Sequence, residues 1–457
     1  MANHDLQIKN GKIFSDGDLT EADIFVTGNR ISSIEKAPSG NATRSINAQG
    51  LIILPGLIDP HVHFRDPGQT YKEDFLSGTR GAVAGGTTTI FDMPNTEPAV
   101  TRWETLKEKS LIAKGKAVSN FGLIAGASHD NLSSIQKLGE NGAIAFKTFM
   151  VSPPKERERE YAGMYVTNSG QLLKTMKEVK KTGRVHCIHA ENDSTINLLT
   201  EEMKFQKRKD AMAHHDSRPN FTEEEAVSDA LVLANYLQAK VHIVHVSTSR
   251  ASTLILDAKS RGVDVTSETC PQYMIFSKEI LEKKGPYAKF NPPPRDLDDV
   301  DQMVKGLASG EIEMVSTDHA PHSNSEKQAG WEDIFKAPSG TPGVETRLPL
   351  LLTLVHQGKL SLGDIPKIAS SAAAKRFGIF PRKGTIEVGS DADLAIIDYN
   401  QSWIIRASEL QTKAWETVLY DGMDVKGRVK YTLVNGKVAY EDGSGFAAPG
   451  SGELIRP

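Results

Sequence analysis

The chain is short of cysteine, of net charge and of long apolar runs, and each shortage excludes something. Its 457 residues include only two cysteines, Cys187 and Cys270, both in apolar, strand-like segments. Two thiols cannot build a disulfide scaffold, and such sparse usage fits a reducing cytosol, so a cytoplasmic location is expected. The formal net charge of -4 is small for this length and speaks against a broad nucleic-acid or membrane surface. No stretch approaches the roughly 18 apolar residues that a membrane span needs. Residues 1–12 lack the apolar region of a secretory signal. No low-complexity segment is evident. What is left is the ordinary composition of a soluble globular protein, long enough that core size does not limit stability.

The two ends of the chain resemble each other and differ from the middle. Alternating residues flank Asn10-Gly11 near the start and Asn435-Gly436 near the end, and Asn-Gly between such runs is a strong hairpin signal. Further short strands are expected at 23–26, 30–34 and 393–398. Residues 1–54 and 383–457 therefore read as one small β-sandwich domain, which the chain leaves and re-enters. Residues 55–382 alternate short apolar strands with longer helical patterns. Strands are expected at 57–59, 88–91, 143–149, 184–189, 241–246, 263–268 and 314–317, with helices at 72–85, 169–181, 223–238 and 251–261 among those between them. Such alternation builds a parallel sheet, and this many units fit a (β/α)8 barrel of the TIM type. A doubly wound open sheet is the alternative, weakened because no G-x-G-x-x-G follows a first strand.

The chemistry-bearing residues sit where these strands end, the face on which barrel enzymes collect their catalytic groups. In Asp59-Pro60-His61-Val62-His63 the two histidines are two apart on an extended segment, so both imidazoles reach the same side. An isolated pair of this kind says little. His189, His245 and the run Asp318-His319-Ala320-Pro321-His322 end three later strands, and such clusters in series are hard to explain as packing. Lys147 lies inside the apolar strand Ala145-Phe146-Lys147-Thr148-Phe149. A lysine there either snorkels from the strand end or is buried and deprotonated. In the second case it can take up carbon dioxide and become an anionic carbamate ligand. His186 and His242 lie three residues before His189 and His245 and are expected on the opposite strand face. Glu191 is open between orienting a ligand and a plain loop role.

Residues 54–98 and the His189, His245 and Asp318 clusters resemble the amidohydrolase superfamily, in its dihydroorotase, hydantoinase and allantoinase branch, and the likeness extends over nearly the whole chain. It implies a cyclic amidohydrolase with two divalent ions per subunit, zinc being the usual one. His61, His63 and Asp318 would hold one ion, His189 and His245 the other, and carbamylated Lys147 would bridge them. Asp318 would also carry the proton, as base and then as acid, the alternative being a ligand role only. A homo-oligomer, dimer or tetramer, and a small cyclic amide as substrate are implied by the same resemblance.

Segments disagree over which ring is opened. His63-Phe64-Arg65-Asp66-Pro67-Gly68 and Met93-Pro94-Asn95-Thr96-Glu97-Pro98 are similar to dihydroorotases, in which Arg65 and Asn95, helped by His322, would hold a substrate carboxylate. Asn291, in Lys289-Phe290-Asn291-Pro292, would contact the ring. A guanidinium suits a carboxylate because it donates two parallel hydrogen bonds; otherwise Arg65 would pair with Asp66 or another acid. Glu268-Thr269-Cys270-Pro271-Gln272-Tyr273 looks instead like hydantoinases, and residues 146–150 and 215–219 look like allantoinases or hydantoinases. The expectation is a dihydroorotase, interconverting dihydroorotate and N-carbamoyl-aspartate in pyrimidine synthesis. A hydantoinase or dihydropyrimidinase comes next, then an allantoinase. A non-catalytic assembly partner is opposed by the match at every ligand position.

Overall fold

The computed structural model describes residues 3–15, 18–36 and 40–457; residues 1–2, 16–17 and 37–39 of the expected N-terminal segment lie outside the described residues. The chain opens with β1 (Asn3–Ser15), β2 (Asp18–Thr27), β3 (Arg30–Glu35), β4 (Asn41–Asn47) and β5 (Ile52–Pro55). It then enters a run of parallel strands: β6 (Leu57–Val62), β7 (Thr87–Asp92), β8 (Asn120–Gly126), β9 (Ala145–Phe149), β10 (Val185–His189), β11 (Val241–Ile243), β12 (Val265–Thr269) and β13 (Met314–Val315). The last strands, β14 (Leu394–Ile404), β15 (Asp424–Val434), β16 (Lys437–Glu441) and β17 (Gly445–Phe446), return to the first sheet.

Both chain ends meet in that first sheet, where β5 pairs antiparallel with β14. Its core is shared in the same way, with Ile8, Ile24 and Ile53 packing against Leu394, Ile396 and Leu433. The expected sandwich is thus built on one continuous hydrogen-bonded sheet. Asn435-Gly436 makes the expected hairpin, joining β15 to β16 with φ of 50° and 76°. Asn10-Gly11 does not. It forms a bulge inside the long strand β1, with Asn10 at φ 58° and its N–H donating to Asp23. A Cβ on Gly11 would collide with Ile53, so the glycine permits close approach rather than a turn.

In the second sheet β6 to β13 pair in sequence order, each parallel to the next, with helices between them. The strands are buried almost throughout, as expected when helices cover one face and barrel contents the other. β6 and β13 are not paired as strands. Side chains span that seam: Arg347 Nη1 donates to the carbonyls of Ile58 and Val315, each at 2.9 Å, and Thr317 Oγ1 donates to Asp59 at 2.6 Å. A parallel bridge between Val62 and His319 closes the upper end. The architecture is a TIM-type barrel carrying a sheet domain made from the termini. Among the described residues no helix is long and apolar enough to cross a membrane.

Candidate active site

The strand ends open into a cavity of about 680 Å³ whose wall includes His61, His63, Arg65, Asn95, His189, His245, Asn291 and Asp318. Lys147 and His322 are fully buried just outside this wall. Three of the wall residues, Arg65, His245 and Asp318, have positive φ of 58°, 40° and 47°. Such a conformation is costly for a residue with a Cβ and persists where the surroundings impose it, often at functional sites.

His61, His63 and Asp318 bring their ligating atoms within 4.8 Å of one another. Asp318 Oδ1 lies 3.2 Å from His61 Nε2 and 3.1 Å from His63 Nε2. The outward nitrogens of the two rings are already committed. His61 Nδ1 donates to Glu268 at 2.6 Å and His63 Nδ1 to Asn95 Oδ1 at 2.7 Å. A neutral imidazole has one N–H, so both Nε2 atoms present lone pairs to a carboxylate oxygen. Burial keeps His63 neutral, pushing it down to about 3. Three acceptors converging with no proton between them repel unless a cation joins them, so this donor set fits a divalent metal.

His189 and His245 form the second group, with Nδ1 and Nε2 2.8 Å apart. His189 Nε2 donates to Glu191 at 2.7 Å, leaving Nδ1 as the lone-pair atom. Burial lowers both imidazoles, His245 well below its usual range. Lys147 stands beside them, its Nζ without a hydrogen-bond partner among the described residues and 4.8 Å from the Phe149 ring. Burial pulls its amine down to about 8. The snorkelling alternative is excluded: the side chain is wholly inside. An unpartnered buried amine of this kind fits conversion to a carbamate.

Several expectations need correction. His242 does not face away from the site. β11 ends at Ile243 and His245 turns with positive φ, so strand alternation fails across 243–245. His242 points inward instead, its Nε2 3.1 Å from Glu268. His186 behaves as expected, bonding Thr148. Glu191 is no exposed loop residue; it is buried and takes a second bond from Arg218 at 2.6 Å. Asp66 does not pair with Arg65 but with Lys116, at 2.7 Å. Glu268, which takes His61 Nδ1, is a site residue that sequence reasoning misses; its strand, Val-Asp-Val-Thr-Ser-Glu over 263–268, is too polar to set an acid apart.

Arg65, Asn95, His322 and Asn291 are the residues expected to contact the substrate. Arg65 is 2% exposed, and its Nε and Nη1 have no hydrogen-bond partner among the described residues. Its Nη2 lies 3.2 Å from His322 Nε2. His322 is held neutral by burial, with Lys72 Nζ 3.5 Å from Nδ1, which makes Nε2 the donor to the Ser339 carbonyl at 3.1 Å. Arg65 therefore faces an N–H, not an acceptor. Its nearest acid is Glu160, at 3.9 Å and already bonded twice by Arg157. Asn291 accepts from Ser339 Oγ at 3.1 Å. Of the segments that pull towards other rings, Cys270, Gln272 and Tyr273 are buried outside the cavity wall, whereas Phe149, Ser217 and Arg218 belong to it.

The amidohydrolase family profile matches residues 52–439. An allantoinase of Rubrobacter xylanophilus is 35% identical, covering 100% of this chain and 98% of its own. A dihydroorotase of Methanosarcina acetivorans is 36% identical over 99% of this chain and 95% of its own. The solved structure of an L-hydantoinase (dihydropyrimidinase) from Arthrobacter aurescens superposes with a TM-score of 0.95 at 34% identity, covering 99% of this chain and 100% of that one. The chain belongs to the amidohydrolase family. Within it, the protein is a cyclic amidohydrolase of the hydantoinase, allantoinase and dihydroorotase group.

Proposed function

We propose that this cyclic amidohydrolase is a dihydroorotase, opening dihydroorotate to N-carbamoyl-aspartate and closing it again. The observation that carries the reading is Arg65. Beside it Arg157 pairs with Glu160 at 2.6 Å and Lys72 with Glu326 at 2.8 Å, whereas Arg65 has only Glu160, at 3.9 Å. A buried guanidinium without an acceptor is costly, and a ring carboxylate supplies the missing partner in bidentate form. A neutral ring would leave it unmatched. The wall positions of Phe149, Ser217 and Arg218 favour a hydantoinase or dihydropyrimidinase as the second reading.

In this reading His61, His63 and Asp318 would hold one divalent ion and His189 and His245 the other, with carbamylated Lys147 as a further ligand. The carbamate forms when the neutral amine adds to carbon dioxide and releases a proton, and burial favours the neutral amine. When bound, the pair supplies Lewis-acid activation of water and of the scissile carbonyl. Asp318, through Oδ2, the carboxylate oxygen not turned to the two histidines, accepts the proton of the attacking water and returns it to the leaving ring nitrogen. Arg65 and Asn95 fix the carboxylate, with His322 behind Arg65, and Asn291 faces the ring. Zinc as the native ion, a dimer or tetramer, and a cytoplasmic location belong to the same proposal, supported by the family resemblance and by cysteine usage. Residues 55–382 are read as the catalytic unit, and residues 1–54 with 383–457 as one terminal domain.

Glu191 is expected to act on the second ion through His189. Glu191→Gln weakens the acceptor that selects the His189 tautomer, and metal affinity should fall by about 10- to 100-fold. Chelator competition followed by metal counting should show one ion per chain lost before the other. Unchanged affinity for both ions would remove Glu191 from the site.

The experiment that decides the function is a panel of dihydroorotate, hydantoin, dihydrouracil and allantoin on the zinc-loaded protein, compared by kcat/KM. Dihydroorotate is expected to win by about two orders of magnitude or more, the worth of a charge-assisted bidentate contact. A neutral ring in first place overturns the assignment and leaves the cyclic amidohydrolase class intact.

A further inference from the structure

The run from Lys155 to Tyr161 reads as a solvated stretch of alternating charge, yet it folds as a 3-10 turn over the cavity. Arg157 of this turn lines the cavity with Arg65. Both guanidiniums are organised by one carboxylate. Glu160 takes Arg157 Nε at 3.0 Å and Nη2 at 2.6 Å, and its Oε2 is 3.9 Å from Arg65 Nη1. Gln69 Nε2 fixes the other carboxylate oxygen at 2.6 Å. Glu160 itself is 2% exposed and is not part of the cavity wall. It stands behind the arginines while they face the substrate space. The turn is held down by Tyr161, whose ring packs edge-on against Phe149, two residues from Lys147, with centroids 4.9 Å apart. The Arg157 guanidinium lies 5.3 Å from the same Tyr161 ring.

We propose that Arg157 is a second specificity-determining guanidinium, which with Arg65 reads the anionic substituent of the ring, and that Glu160 positions the two side by side. The inference rests on the anionic-ring reading of the site. Two like charges facing one cavity repel, and a buried acid within reach of both offsets that repulsion. Two of the Arg157 nitrogens are used by Glu160. The third, Nη1, has no such bond among the described residues and remains for the ligand. Recognition by two guanidiniums discriminates an anionic ring from a neutral one more strongly than a single one, because a neutral ring leaves both unsatisfied.

The test measures KM and kcat for dihydroorotate and for dihydrouracil on the zinc-loaded wild type, Arg157→Gln and Arg157→Lys. In Arg157→Gln the KM for dihydroorotate should rise about tenfold or more while its kcat changes by less than about threefold. The KM for dihydrouracil should stay within the same factor of about three. Arg157→Lys keeps the charge without the planar fork and should fall between; it carries the test if the glutamine variant fails to fold. Equal changes on both rings, or none on either, overturn the role of Arg157 while the wild-type preference for dihydroorotate stands. A wild type that prefers dihydrouracil overturns the anionic-ring reading, and this inference with it.

Discussion

Lys147→Ala should lose activity by about a thousandfold or more, and short carboxylic acids in the buffer should restore a measurable part of it. The size of the loss follows from where the residue stands. Lys147 is wholly buried, has no hydrogen-bond partner among the described residues, and lies on β9 next to the strand that ends in His189. As an ammonium it would be an unpaired cation beside imidazoles that need to stay neutral. As a carbamate it is an anion placed among them. Truncation to alanine leaves a void that a formate or acetate can enter with its carboxylate where the carbamate stood. Metal content separates the explanations: the variant should retain less metal per chain than the wild type, and added acid should raise it together with activity. Full activity in Lys147→Ala removes the carbamate from the proposal. Lost activity without any rescue, at normal metal content, assigns Lys147 to packing alone.

Much of this architecture is legible in the chain, and what is not has identifiable physical causes. The parallel strands that lead to His63, His189 and Asp318 announce themselves through apolar runs followed by polar residues. β8 does not. Its sequence, Asn120-Phe121-Gly122-Leu123-Ile124-Ala125-Gly126, carries glycines that weaken any strand signal. They are there because Cβ atoms would collide with Phe91 at Gly122, and with Met164 and Thr101 at Gly126. Local spacing assigned His242 to the wrong face because alternation holds only while a strand continues, and β11 is three residues long. The partners of the site residues are even less accessible. Glu268 meets His61 across 207 positions, and nothing local marks that pairing before the barrel closes. The Lys155–Tyr161 run looks like a solvated surface because its charge pattern is the same whether its partner is water or a buried arginine.

Arg65→Met should separate the rings. The methionine keeps much of the apolar volume and deletes the charge. For dihydroorotate, kcat/KM should fall about a hundredfold or more, since a charge-assisted bidentate contact to a desolvated carboxylate is lost. For dihydrouracil the change should be small, or a gain of a fewfold, because the neutral ring never offered Arg65 an acceptor. Stability points the same way. In the wild type the buried guanidinium has Glu160 at 3.9 Å and an N–H of His322 in front of it, so burial draws its pKa below the usual arginine range. Removing it relieves that desolvation cost, and the ligand-free variant should unfold at a temperature no lower than the wild type. Dihydroorotate should then stabilise the wild type against heat and have little effect on Arg65→Met. Equal losses of kcat/KM on both rings would mean that Arg65 supports the fold of the loop after β6 without reading the substrate.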